Sequence, residues 1–214
     1  MENKKKTTII RDAIALFLIT LISGLALGYV YEITKEPIAV GEEKAKVAAY
    51  KAVFPEAKSF EEDAALNQKA KEADLKSLNA IYEAVTVDDV NQAYDANQNL
   101  IGYIVQITTK NTYKDPITFA MGYSMEGKIQ GIKILSINET PGLGMKAKTP
   151  DFIGQYLNKQ VDQFTVTKTG SKQDSEIDAI SGATITSRGV TYAIDAGIGF
   201  LKEYSGDLGG AVNE

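Results

Sequence analysis

Neither cysteine nor histidine occurs in this chain of 214 residues. Their absence excludes disulfides, iron–sulfur ligation and haem held by either side chain. It also removes the usual zinc ligands and the histidine-dependent triads of hydrolases. Any redox cofactor used here is therefore organic or held by another chain. An excess of positive charge is missing as well. The formal net charge is −5, so there is no basic footprint for nucleic acid. The chain has no P-loop, no Gly-x-Gly-x-x-Gly fingerprint and no internal repeat. No catalytic side-chain set and no metal site is expected.

Charge is also missing from Ala13 to Tyr31. At about 1.5 Å per residue this apolar run nears the length that spans a bilayer core. Gly24 and Gly28 do not disqualify it, because glycine is frequent in membrane helices. Lys4, Lys5, Lys6 and Arg11 precede it and favour a cytoplasmic N-terminus, residues 1–12, with the span at 13–31. The competing reading is a cleaved signal peptide, although the run exceeds an ordinary signal-peptide core.

Beyond the span, Thr34-Lys35-Glu36-Pro37-Ile38 breaks the helical pattern. A helix is predicted from Glu42 to Val53, packing through Ala45, Ala48, Ala49, Ala52 and Val53 and ended by Pro55. Residues 60–84 are rich in Ala, Glu and Lys, and the whole of 32–95 reads as a helical, solvated connecting region. Strands are predicted at Ile101–Thr109, Pro116–Ser124 and Lys128–Ile137, with a turn at Glu126-Gly127. Their short connections imply an antiparallel meander. Asp151–Leu157 reads as a short helix capped by Asp151, and Phe164–Thr167 as a strand. A final amphipathic helix covers Val190–Tyr204. The fold class is therefore α+β: an antiparallel sheet packed by helices, preceded by one N-terminal transmembrane helix. The folded domain covers 96–204, and a loose glycine-rich tail covers 205–214.

Two loops carry the chemistry. The first is Asn138-Glu139-Thr140-Pro141-Gly142-Leu143-Gly144-Met145-Lys146. Pro141-Gly142 favours a turn, and two glycines let backbone approach a flat ligand closely. The second is Asp178-Ala179-Ile180-Ser181-Gly182-Ala183-Thr184-Ile185-Thr186-Ser187. These hydroxyls lie in a turn leading into the last helix, a favourable place for a phosphate, with Arg188 adding positive charge. Taken alone, each loop is equally a plain connection or a helix cap.

Together they resemble a known family. Asp178 to Thr184 resembles the Asp-x-x-Ser/Thr-Gly-Ala-Thr flavinylation signature, and Glu139 to Gly144 matches the same family's Glu-Thr-Pro-Gly-Leu-Gly motif in full. The chain looks like the G-type subunits of Rnf ferredoxin:NAD+ oxidoreductase complexes. Their relatives are the C-type subunits of the sodium-pumping NADH:quinone oxidoreductase. The resemblance implies FMN held covalently by a phosphoester on Thr184, made by a flavin transferase with FAD as donor. It implies further flavin contacts from Asp178, Ser181, Gly182, Ala183, Glu139, Thr140, Gly142, Leu143, Gly144 and Lys146. Leu143 and Met145 would touch the ring, and Lys146 would pair with phosphate or an anionic flavin. Implied partners are the other Rnf subunits, of A, B, C, D and E type, in electron transport coupled to Na+ or H+ translocation. The implied site of action is the cell membrane, with a single pass and the flavin domain outside the cytoplasm. With no histidine to activate it, the Thr184 hydroxyl suits a single modification by another enzyme rather than turnover. The alternatives are a membrane-tethered flavin-binding or signalling module outside such a complex, and a structural adaptor with a vestigial flavin site.

The predicted topology has a direct check. Protease added to sealed right-side-out vesicles is expected to degrade the domain that follows the span. Full protection of that domain would reject the orientation.

Overall fold

The computed structural model describes residues 2–206; the tail beyond, expected to be loose, lies outside the described residues. The chain divides into two compact units, Met1–Ala45 and Lys46–Glu214. Helix α1, Glu2–Val53, runs through both.

In the first unit α1 carries no charged side chain from Ala13 to Tyr31. Leu16, Phe17, Leu18 and Ile19 are four consecutive exposed side chains, as suits a helix surrounded by lipid rather than one lying on a core. The Thr20 hydroxyl donates to the Leu16 carbonyl of its own helix at 3.0 Å. This is a helix long and apolar enough to cross a membrane. The break expected at Thr34–Ile38 does not occur: α1 continues through Pro37. Proline forfeits one backbone hydrogen bond locally, and the helix-forming stretches on both sides propagate past it.

The second unit is built on a five-stranded antiparallel sheet of order β1-β2-β3-β4-β5. Its strands are β1 Ser59–Glu62, β2 Val85–Tyr94, β3 Leu100–Thr109, β4 Ile117–Ser124 and β5 Ile129–Ser136. The last three match the predicted meander. The segment read as a helical connecting region instead supplies β1 and β2, with α2 (Ala64–Glu72) and α3 (Leu75–Leu78) between them. Leu66, Leu75 and Tyr82 from this segment are buried in the main core.

Both faces of the sheet are covered. Val105, Ile107 and Met121 pack with Ile194, Ile198 and Leu201 of helix α5, Thr184–Tyr204. The alternate side chains Ile104 and Ala120 pack with Tyr50, Val53 and Phe54 at the end of α1. The packing face of that helix end is Ala49, Tyr50 and Val53, while Ala45, Ala48 and Ala52 are exposed. Tyr50 and Val53, with Ala49 as the one alanine beside them, set the stripe. Asp89 of β2 fastens it, accepting from Tyr50 Oη at 2.7 Å and pairing with Lys46 Nζ at 2.6 Å.

After β5 the chain forms α4, Pro150–Ile153, whose N-cap is Thr149. Asp151 lies in its first turn rather than capping it, because Pro150 already occupies the first helical position. Two short strands follow, β6 Thr165–Thr167 and β7 Glu176–Asp178, paired in parallel. Helix α5 begins at Thr184, six residues before the predicted start. Its opening residues Thr184-Ile185-Thr186-Ser187 are mediocre helix formers, differing from alanine by less than about 1 kcal/mol each. Each buried Ile or Leu further along contributes roughly 1.5–3 kcal/mol, so packing decides.

One buried group makes the fold sensitive to pH. Asp195 of α5 is 1% exposed. Its Oδ1 accepts from Phe164 N–H at 3.0 Å, and its Oδ2 has no partner among the described residues. Burial pushes its carboxyl from 3.8 up to about 7, the Phe164 N–H opposing this only in part. Between those values the folded state keeps a proton that the unfolded state has released. The contribution of Asp195 to stability is therefore fully present below about pH 4 and is lost as pH rises to about 7. Asp195→Asn is expected to flatten that dependence and raise stability above pH 7 by on the order of a few kcal/mol. Thermal unfolding of the detergent-solubilised chain across this range checks it.

Candidate functional site

The loop after β5 is shaped by its own backbone. Thr140 carbonyl accepts from Leu143 N–H at 3.1 Å and Met145 N–H at 3.3 Å. Gly142 takes φ +77°, and a Cβ there would meet open space. That positive φ is what the turn requires of Gly142. Gly144 is different: a Cβ there would lie 2.8 Å from both Cβ and Oε2 of Glu139. The residue it accommodates is thus Glu139, within the same loop.

Glu139 is 3% exposed. Its Oε1 accepts from Tyr113 N–H at 2.9 Å and from the Thr186 hydroxyl at 3.3 Å. One carboxylate therefore joins its own loop to the β3–β4 connection and to the first turn of α5. Asn138 Nδ2 adds a second tie to that connection by donating to Asp115 Oδ2.

The signature turn is held just as closely. Asp178 closes β7; its N–H donates to Gln155 Oε1 at 2.6 Å, and its Oδ2 accepts from Ser171 Oγ at 3.3 Å. Ala179 N–H donates to Thr167 carbonyl at 2.8 Å, and Ala183 N–H to Ile180 carbonyl at 2.9 Å. Gly182 has φ +77°, and a Cβ on it would lie 2.9 Å from Leu143 Cδ2, so the two loops touch there. Ser187 is buried, its Oγ accepting from Ile180 N–H and donating to Ala183 carbonyl, both at 2.9 Å. The N-cap of α5 is Ala183, with no side-chain cap, which leaves first-turn amides for another acceptor.

Between the loops lies a cavity of about 520 Å³, within the ~300–1,000 Å³ usual for small-molecule sites. Glu139, Thr140, Leu143 and Gly144 line one side, and Gly182, Ala183 and Thr184 another. Seven of the expected residues thus come together. Asp178, Ser181, Gly142, Met145 and Lys146 are not among the lining residues; Lys146 and Ser181 are exposed. Arg188 lines a neighbouring hollow with Lys110, Ile185 being common to both walls.

Three lining residues stand outside the expected set: Tyr113, Ile185 and Thr186. Tyr113 is 70% exposed and Ile185 58%, giving the mouth an apolar rim suited to a flat ring. Nothing in the sequence links Tyr113 to this place, since the Glu139 bond to its backbone brings it here. Thr186 shares the helical start with Thr184, and its distance from a buried carboxylate is visible only in the fold. The Thr184 hydroxyl is half-buried and has no hydrogen bond among the described residues. An uncapped 21-residue helix, an unbonded hydroxyl and an apolar rim fit a phosphate-bearing flavin.

Residues 112–199 match the family model described as "FMN-binding domain". The G-type component of an ion-translocating oxidoreductase complex from Methanosarcina acetivorans is 26% identical over 207 residues, 96% of this chain and 100% of that protein. The G-type component of the Na(+)-translocating ferredoxin:NAD(+) oxidoreductase complex from Acetobacterium woodii is 29% identical over 214 residues, again 96% and 100%. The crystal structure of Shewanella oneidensis NqrC aligns with a TM-score of 0.49 at 22% identity, over 57% of this chain and 61% of that one.

The glycines yield a contrast that can be measured. Gly144→Val is expected to displace Glu139, destabilise the chain by about 1–3 kcal/mol and abolish amide-exchange protection at Tyr113. Gly142→Ala is expected to cost about 1 kcal/mol through its positive φ while Tyr113 stays protected.

Proposed function

We propose, from its resemblance to the G-type components of ion-translocating oxidoreductase complexes, that this chain is the membrane-anchored electron-carrier flavin subunit of such a complex. In this reading FMN is joined to Thr184 by a phosphoester, and the cavity holds the flavin. The observation that carries it is the state of the hydroxyls in the signature. Thr184 lines the cavity and has no hydrogen-bond partner among the described residues. Its rivals are engaged or elsewhere. Thr186 is 1% exposed and donates to Glu139, Ser187 is fully buried with two bonds, and Ser181 lies outside the walls.

When bound, FMN supplies reversible electron uptake. The chain's own residues hold it. The phosphate end sits at the α5 N-terminus, whose free amides and dipole favour the negative charge. Glu139, Thr140 and Thr186 offer polar contacts to the ring or ribityl chain. Leu143, Ile185 and Tyr113 cover apolar ring surface and exclude water. Asp178, Ser181 and Gly182 shape the turn that presents Thr184, and Gln155 fixes Asp178 from outside. Gly142 and Gly144 shape the facing loop, while Lys146 attracts anionic groups from beyond the wall. Attachment is a single event, made by a flavin transferase with FAD as donor: the Thr184 Oγ–P bond forms as the pyrophosphate bond of FAD breaks, AMP leaves and the hydroxyl proton is released; covalent linkage then keeps the flavin in every redox state.

The remaining assignments follow from the same premise. Partners are the A, B, C, D and E type subunits, electrons run between ferredoxin and NAD+, and the coupled ion is Na+ or H+. The N-terminus is cytoplasmic, α1 makes the single pass, and the flavin unit lies outside.

Thr184→Ala is expected to abolish covalent flavin while the chain still folds, since a residue at a helix start is worth only about 1 kcal/mol. Thr186→Ala is expected to retain it. Peptide mass spectrometry after co-production with a flavin transferase locates the added FMN mass. FMN on Thr186, or none on the native sequence, would overturn the assignment.

A further inference from the structure

Glu139 does more than tie segments together. Among the described residues lining the cavity it alone bears a formal charge; the others are Tyr113, hydroxyl, apolar and glycine residues. It is nearly fully buried and makes no ion pair with any described residue. No described lysine or arginine lines this cavity. Lys110 and Arg188 line the hollow beyond Ile185, and Lys146 lies outside the walls. Both donors to Glu139, the Tyr113 N–H and the Thr186 hydroxyl, reach Oε1. Oε2 has no hydrogen-bond partner among the described residues and is not sealed from the cavity. A half-charge at the α5 N-terminus opposes this carboxylate only in part.

We propose that Glu139 is the residue that holds the reduction potential of a flavin in this cavity low, by setting an unpaired buried carboxylate in its wall. The proposal rests on the flavin reading above. An electron arriving on the ring adds negative charge beside one already fixed in a low-dielectric wall, where repulsion is strong. A wall without that charge accepts the electron more readily. The same residue's bonds also keep the carboxylate in place, so its effect does not relax away when the ring is reduced.

The test separates charge from scaffolding. Glu139→Gln keeps an Oε1 that accepts from Tyr113 N–H and Thr186, and removes the charge by replacing Oε2 with an amide nitrogen of nearly the same size. The potential of the full-length, detergent-solubilised chain is read by dye-equilibrated spectroscopy, after intact mass has established covalent flavin. Glu139→Gln is expected to shift the potential positive, and Glu139→Asp to bring it back toward wild type. A wild-type potential in Glu139→Gln, with flavin on Thr184, would overturn this inference and leave the flavin reading standing. A native chain without flavin on Thr184 would overturn both.

Discussion

A carboxylate is costly to bury unless donors surround it, and the candidate site depends on one that is buried. Glu139 draws the β3–β4 connection, its own loop and the start of α5 to a single oxygen. Gly144 is the complement of that arrangement, since any side chain there collides with the acid. Ile180 and Ala183 anchor the signature turn in the core, and the Glu139 bonds add a polar tie between the two loops. The cavity is what remains between segments held in this way.

Helix α5 extends this constraint into the body of the domain. Its middle packs on the sheet through Ile194, Ile198 and Leu201, and its first turn forms a wall of the cavity. Apolar burial therefore fixes the axis along which Thr184 is presented. The other sheet face is closed by the end of α1, so the sheet has no solvated side on which to slide. The rigid parts are large and buried, and the polar loops are carried on their ends.

What the sequence made legible follows from this division. Strands β3, β4 and β5 were readable from their composition and turns, although Tyr103, Ile104 and Val105 are buried in succession because both faces are covered. Strand β2 was not readable. A bulge between Val87 and Asp89 shifts its alternation, and Asp88, Asp89 and Asn91 make it look like a loop. The start of α5 was hidden because Thr186 and Ser187 look like turn residues, while their hydroxyls are in fact satisfied inside the fold. At the site, the motifs pointed to Glu139, Thr140, Leu143, Gly144, Gly182, Ala183 and Thr184, which the fold brings to one cavity. They could not point to Tyr113, brought there by a backbone bond, nor show that Arg188 lines the neighbouring hollow. Spacing along a chain reports local geometry; which of two adjoining hollows a side chain lines is decided by packing.

The parallel pairing of β6 with β7 bears on how the domain can vary. Residues 168–174 between them are exposed, while Thr167 and Asp178 are fixed by register and Ala179 is bonded back to Thr167. The ends of this excursion are thus clamped independently of its length. Insertions there lengthen a surface loop at an entropic cost that grows only logarithmically. The chain has a place where it can gain sequence, an epitope or a fluorophore tag, with the signature turn still delivered in the same register.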